Sequence, residues 1–224
     1  MKSFIPIFLL LIISIFSGCS SKGYYFPIRT LDNGKVYKYE CKKDPTKTEY
    51  WKLTSVKNEF LITEAFDAEF RQYELFKERV TPKGTELAEF ISYWISEDGQ
   101  KDTVINKPVE LDVFQWNTAE AYQYSSESID EDYGKITLLK KRAFLKKEKI
   151  VVLGKERTVL KFRGSYRTQI EKTKETYDKK QFSYYAKGLG LVKMEKEYSD
   201  GSKVILDLAE IISIDDWEKM KSSR

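Results

Sequence analysis

The chain is predicted to be mainly β: a single antiparallel, strongly curved sheet or open half-barrel with one or two short helices, behind an N-terminal signal peptide. Three observations predict it. Aromatic residues are abundant, with 15 Tyr and 13 Phe against 5 Pro. Apolar and polar residues alternate in short runs, the period of a half-buried strand. Turn signals rich in Gly, Asn and Asp separate those runs.

The alternating runs are VYKYEC (36–41), EYWKLTSV (49–56), FLITEAFDAEF (60–70), QYELFKERV (72–80) and EFISYWI (89–95). Later come KITLLKKRAFL (135–145), KIVVL (149–153), RTVLKF (157–162) and FSYYAK (182–187). Turns are read at DNGK (32–35), TPKG (81–84), EDGQ (97–100), LGKE (153–156), YDKK (177–180) and SDGS (199–202). TAEAY (118–122) and IDDWEKM (214–220) are the short-helix candidates.

One hairpin can be registered from sequence. A three-residue loop Ser199-Asp200-Gly201 puts Gly201 in the left-handed position. Val192 then faces Leu208, Met194 faces Leu206 and Lys196 faces Val204. On the other face Glu197 meets Lys203 and Lys193 meets Asp207, opposite charges across the ladder. A two-residue turn slips the register by one and sets Val204 against Glu197, so the first register is preferred.

The first residues carry an address. Lys2 precedes an apolar run, Phe4 to Phe16, broken only by Pro6 and Ser14. As a helix it would span roughly 20 Å, short of the roughly 30 Å hydrocarbon core, so a secretory signal is the better reading. The run ends Phe16-Ser17-Gly18-Cys19. This resembles the lipobox of bacterial lipoprotein precursors, with Phe16 where Leu is usual. The resemblance implies cleavage after Gly18, a diacylglyceryl group on the Cys19 thiol, and acylation such as palmitoylation of the new amine. Two or three chains hold a protein stably on a membrane where one does not. It also implies residence in the cell envelope; Ser20, in place of an Asp, favours the outer membrane with the body in the periplasm. The domain reading is 1–18 signal peptide, 19–26 lipidated cysteine and tether, and 27–224 one β domain. Tyr184 to Tyr198, YYAKGLGLVKMEKEY, resembles a stretch of strand-rich bacterial envelope lipoproteins; Gly188 and Gly190 are read there as a strand kink or bulge.

Composition excludes much. The net charge of +4 is small and both signs are interspersed, which speaks against a nucleic-acid partner. There is no histidine, hence no Ser-His-Asp or Cys-His nucleophile and no imidazole metal ligand. With Cys19 as anchor, Cys41 has no disulfide partner and reads as a small buried hydrophobe. The acidic stretch SSESIDEDY (125–133) lacks the D-x-D-x-D-G spacing of a calcium loop and reads as solvated loop. The basic run KKRAFLKKEK (140–149) reads as an edge strand whose lysines block association. No metal, cofactor or catalytic residue is expected.

Three function classes remain. The first is a non-enzymatic carrier of an apolar ligand, its cavity lined by residues such as Phe60, Ile62, Tyr93, Ile95, Val159 and Tyr184. The second is a structural or assembly partner of an envelope protein complex, its sheet filled by its own side chains. The third is a hydrolase using two carboxylates.

Overall fold

A computed structural model describes residues 20–95 and 101–223, the side chain of residue 95 excepted. Cleavage after Gly18, the lipobox, the signal peptide and the EDGQ turn all lie outside the described residues. Twelve strands run in chain order: β1 (Lys35–Glu40), β2 (Glu49–Val56), β3 (Phe60–Phe66), β4 (Gln72–Val80), β5 (Gly84–Ile95), β6 (Lys101–Gln115), β7 (Tyr122–Asp130), β8 (Gly134–Val152), β9 (Lys155–Ile170), β10 (Thr176–Ala186), β11 (Gly190–Tyr198) and β12 (Lys203–Ile212). One α-helix, α1 (Ile214–Ser222), follows.

Each strand pairs antiparallel with its neighbours in sequence, and β12 returns to β1. The sheet is therefore a closed barrel, not the open half-barrel expected. Val36 opposite Ile212 and Tyr39 opposite Leu208 make the closure. No local pattern announces a pairing between the two ends of a domain, which is why the sequence left the sheet open. The reading of KKRAFLKKEK as a sheet edge holds for part of the run. It lies in β8, whose ladder with β7 ends at Arg142 while its ladder with β9 continues to Val152. Lys140 to Arg142 are thus paired on both sides, with Lys140 and Arg142 buried, and the rest of the run forms an edge.

The hairpin register is as expected: Met194 faces Leu206, Lys196 faces Val204 and Glu197 faces Lys203. Gly201 sits at φ +81°, and the Lys203 ammonium lies 3.2 Å from the Glu197 carboxylate. Lys193 is opposite Asp207 but pairs its charge with Glu195, 2.9 Å away. Other local readings differ. YDKK lies inside β10, held there by Arg167, whose Nε and Nη2 donate to the Asp178 carboxylate at 2.9 and 3.0 Å across the ladder. TAEAY forms no helix; the Asn117 side chain accepts from the Ala119 N–H and turns the chain instead. Most of SSESIDEDY is β7, with Ser126 and Ser128 buried rather than solvated.

The lower end of the barrel carries turns 57–59, 81–83, 153–154 and 187–189; the upper end carries 41–48, 67–71, 131–133, 171–175 and 199–202. The segment read as a tether docks on the lower end. The Ser21 N–H donates to the Trp116 carbonyl at 2.9 Å, and its hydroxyl donates to the Gln115 carbonyl at 2.7 Å. Tyr25 and Phe26 then enter the core as a plug. Phe26 needs Gly190 beneath it. That glycine has φ +87°, and a Cβ there would stand 2.3 Å from a Phe26 ring carbon. Gly190 thus accepts a strained backbone angle and a close aromatic contact at one position.

Above the plug, Phe114 is fully buried, its ring centroid 4.9–6.3 Å from those of Tyr25, Trp116, Tyr122, Phe162 and Tyr185. Tyr37, Tyr39, Leu53 and Leu61 complete this filled lower half, and Cys41 is buried against the same core as expected. Outside the wall, α1 packs Trp217 against Tyr50, Phe66 and Phe70. Ser213 caps the helix by accepting from the Asp216 N–H, with Asp215 and Asp216 in the first turn and Lys219 and Lys221 in the last. The outer face elsewhere carries cross-strand ion pairs, with Lys52–Glu64 at 2.8 Å and Arg79–Glu86 at 3.1 Å, among scattered exposed apolar residues such as Ile105 and Val151.

Candidate functional site

Strand parity decides what enters the barrel. Thr63 faces Phe76, and Ala65 faces Glu74, so the inner positions of β3 and β4 include Thr63, Ala65, Glu74, Phe76 and Glu78. Phe60 and Ile62 fall on the opposite face. The Phe60 ring takes the Lys77 ammonium at 4.7 Å from outside. Tyr93 is likewise outside, with the Lys101 ammonium 3.6 Å from its ring centroid. Tyr184 alternates with the inward Ser183 and Tyr185, and its ring lies between the ammonium groups of Lys161 and Lys193. Val159 is fully buried in the wall. The expected lining is thus corrected: none of Phe60, Ile62, Tyr93, Val159 and Tyr184 lines the internal chamber, and the Ile95 side chain lies outside the described residues. The physical reason is the two-residue period. An aromatic run read without its partner strands gives alternation but not which phase points inward.

The chamber itself has a volume of about 230 Å³ and is lined by ionisable side chains. Glu49, Glu74 and Glu78 supply the carboxylates; Lys140, Arg142, Lys179 and Lys196 supply the cations. Several are internally satisfied. Glu49 pairs with Lys196 and accepts from the Trp51 indole N–H at 3.1 Å. Glu78 accepts from the Thr85 hydroxyl at 2.5 Å. Arg142 donates to the Val113 carbonyl at 3.1 Å. Tyr166 donates to Gln181, which in turn donates to Ser183. Glu74, Lys140 and Lys179 make no ion pair with one another or with the rest of the described residues.

These unpaired groups feel the enclosure. Burial pushes the Glu74 carboxyl up to about 6, against the attraction of Lys140. Burial, together with the charges of Arg142 and Lys179, holds the Lys140 ammonium well below its ordinary value. Lys179 is lowered by burial and by Lys196. Glu74 makes a testable contribution to stability. Its pKa is raised on folding, so its share of stability is full below pH 4.5 and is lost as pH rises through about 6. Glu74→Gln is therefore expected to be about 2 kcal/mol more stable than the parent at pH 7, with the gap closing below pH 4.5. Urea denaturation at pH 4 and pH 7 measures it; equal stabilities at pH 7 would contradict the enclosure of this carboxyl.

Sequence reasoning missed every chamber residue, yet one signal was present. In the registered hairpin Lys196 shares the face of Met194, Leu206 and Val204. A lysine on the apolar face of a correctly registered strand marks an inward charge. Among the described residues no group of three or more His, Cys, Asp or Glu is placed to hold a metal ion.

No family model matches the chain, and no curated protein matches it. Three solved structures are similar to it at low identity. A predicted lipoprotein from Parabacteroides distasonis aligns at TM-score 0.42 and 13% identity, covering 84% of this chain and 97% of that one. A predicted exported protein with a YmcC-like fold from Bacteroides fragilis aligns at TM-score 0.32 and 12% identity, covering 80% and 95%. The hypothetical lipoprotein YmcC from Escherichia coli aligns at TM-score 0.35 and 8% identity, covering 82% and 86%.

Proposed function

We propose that this protein is a lipid-anchored, non-enzymatic component of the bacterial cell envelope that serves as an assembly partner, held at the membrane through an acylated Cys19. The observation that carries the assembly role is the filled lower barrel. An acyl chain or other apolar cargo needs an apolar hollow. Here the lower half is occupied by Phe114 and its aromatic neighbours, and the remaining chamber sets charged side chains among its aromatic and aliphatic walls. Seating an apolar ligand there would strip water from those charges without replacing its hydrogen bonds. A two-carboxylate hydrolase is disfavoured by the same geometry, since Glu49 and Glu78 are already engaged.

Ser21 is fixed at the lower end, so an anchor just before it tethers that end and turns the upper end away from the bilayer. The upper end exposes apolar side chains, Trp94 and Ile129 most openly and Tyr133 and Tyr177 about half. An envelope protein is the partner we assign to that surface; outer-membrane anchorage follows from Ser20 if the Asp sorting rule operates in the host.

Alkyne-palmitate labelling of cells expressing the parent chain or Cys19→Ala tests the anchor. Label and membrane sedimentation are expected in the parent and absent in the variant; a labelled, membrane-bound Cys19→Ala protein would overturn it. A photo-cross-linking residue at Ile129 is expected to give a discrete adduct with an envelope protein, while the same residue at Lys155 on the lower end gives none.

A further inference from the structure

Lys140 and Lys179 present an unmet demand inside the barrel. Lys140 is 9% exposed. Its ammonium lies 4.3 Å from the Tyr166 ring centroid, and that of Lys179 lies 4.6 Å from the same ring. The two lysines thus share one aromatic platform, on adjacent β8, β9 and β10: Lys140 is opposite Tyr166, and Tyr166 is opposite Lys179. Neither ammonium makes an ion pair or hydrogen bond among the described residues. The other two cations of the chamber are occupied, Arg142 by the Val113 carbonyl and Lys196 by Glu49.

Two enclosed like charges on one ring repel each other. A π-face compensates such charges only in part. What would complete the site is an acceptor-only group carrying negative charge, reached by ammonium donors from two sides. Tyr166 and Lys179 also line a second recess, of about 530 Å³, together with Arg167, Lys180, Tyr198 and Gly201. Tyr166 and Lys179 are thus the residues common to the chamber and the surface recess.

We propose that the upper barrel is a binding site for a small oxyanion, the carboxylate or phosphate of a small solute, held between the ammonium groups of Lys140 and Lys179 over Tyr166. The chamber volume limits the guest to a small molecule; drug-sized ligands occupy roughly 300–1,000 Å³. Glu74, a carboxyl of the same chamber that makes no ion pair, sets a preference: a guest with a hydrogen-bond donor beside its oxyanion suits the site better than a bare anion. The site is independent of the anchor, because every residue in it belongs to the barrel wall.

Isothermal titration calorimetry on the full chain at pH 7, with inorganic phosphate in one arm and succinate in the other, tests it. Saturable binding is expected in at least one arm, and the arm that binds tells phosphate from carboxylate. Lys140→Met and Lys179→Met should each weaken it at least tenfold, whereas Lys155→Met, at the exposed lower start of β9, should leave it unchanged. Replacing a buried unpaired charge by an apolar side chain of similar length is tolerated or stabilising, so both variants are expected to fold. The apo protein should then melt no lower in either variant, while the probe-induced rise in Tm disappears. Lys179→Met, nearer the rim, carries the test if Lys140→Met does not fold. Heat in neither arm, or affinity unchanged in the folded variants, would overturn the site.

Discussion

Phe114→Ala is expected to destabilise the barrel by about 3–5 kcal/mol. Phe114 is fully buried and touches five aromatic rings drawn from the N-terminal plug, the turn after β6, and strands β7, β9 and β10. No single neighbour can swing into the gap, because each is fixed by its own strand, by the plug or, for Trp116, by hydrogen bonds to the Thr81 and Lys83 carbonyls. The loss is thus a transfer term plus a cavity that collapses only in part. Against a typical stability of about 5–15 kcal/mol it is a large fraction. For a domain of this size Tm should fall by about 10 °C. Thermal and urea denaturation followed by far-ultraviolet circular dichroism measure it. A loss below about 1 kcal/mol would mean that the lower barrel is hollow, and the apolar-carrier reading would return.

Trp217→Ala acts on the other side of the wall with a similar magnitude, about 3–5 kcal/mol, but on a different unit. Trp217 is the one fully buried residue of α1, and its ring centroid lies 4.9–5.3 Å from those of Tyr50, Phe66 and Phe70. The helix is nine residues long, too short to persist undocked in water. Without the indole it should detach while the closed sheet survives. Amide protection in α1 is expected to fall by roughly two to three orders of magnitude. Trypsin should cut at Lys219 and Lys221 under conditions where the strands remain intact. Cleavage no faster than in the parent would contradict the assignment of Trp217 as the clasp. Trp217→Phe, which keeps an apolar ring, should recover much of the protection.

These two residues also show what the sequence could and could not reveal. IDDWEKM was legible as a helix because Ser213, Asp215 and Asp216 form an N-terminal signature. The β11–β12 hairpin was legible to the residue because a tight turn fixes its own register. Phe114 was not singled out at all. It lies beyond a register shift between Thr85 and Glu86 on the partner strand, and a bulge resets the phase that alternation relies on. The chamber was hidden for a second reason. Strand patterns are read by assuming that charge faces water, yet Glu74 and Glu78 flank Phe76 on the inner face, and Lys140 and Arg142 lie inward in a run that looked like solvated surface. The interior of this barrel is half polar, so hydrophobicity alone marks the wrong face in β8 and only half of the right one in β4. Ring closure was the remaining gap, since it joins the most distant strands of the domain.

That closure sets the order of events for a chain that emerges amino terminus first. Hairpins β2–β3 through β10–β11 can form as they appear, since each needs only its immediate neighbour. The seam cannot: Val36 must wait for Ile212, and α1 comes later still. Until then β1 presents an unsatisfied ladder and the plug has nothing complete to stopper. Pairings of such long sequence separation form late because the intervening loop entropy must be overcome first. Closure of the ring therefore waits until β12 has been made. A truncation before residue 203 leaves two complementary open edges, of β1 and β11, which a second truncated copy could satisfy head to tail. The last strand is what pairs off edges that would otherwise stay open to another chain.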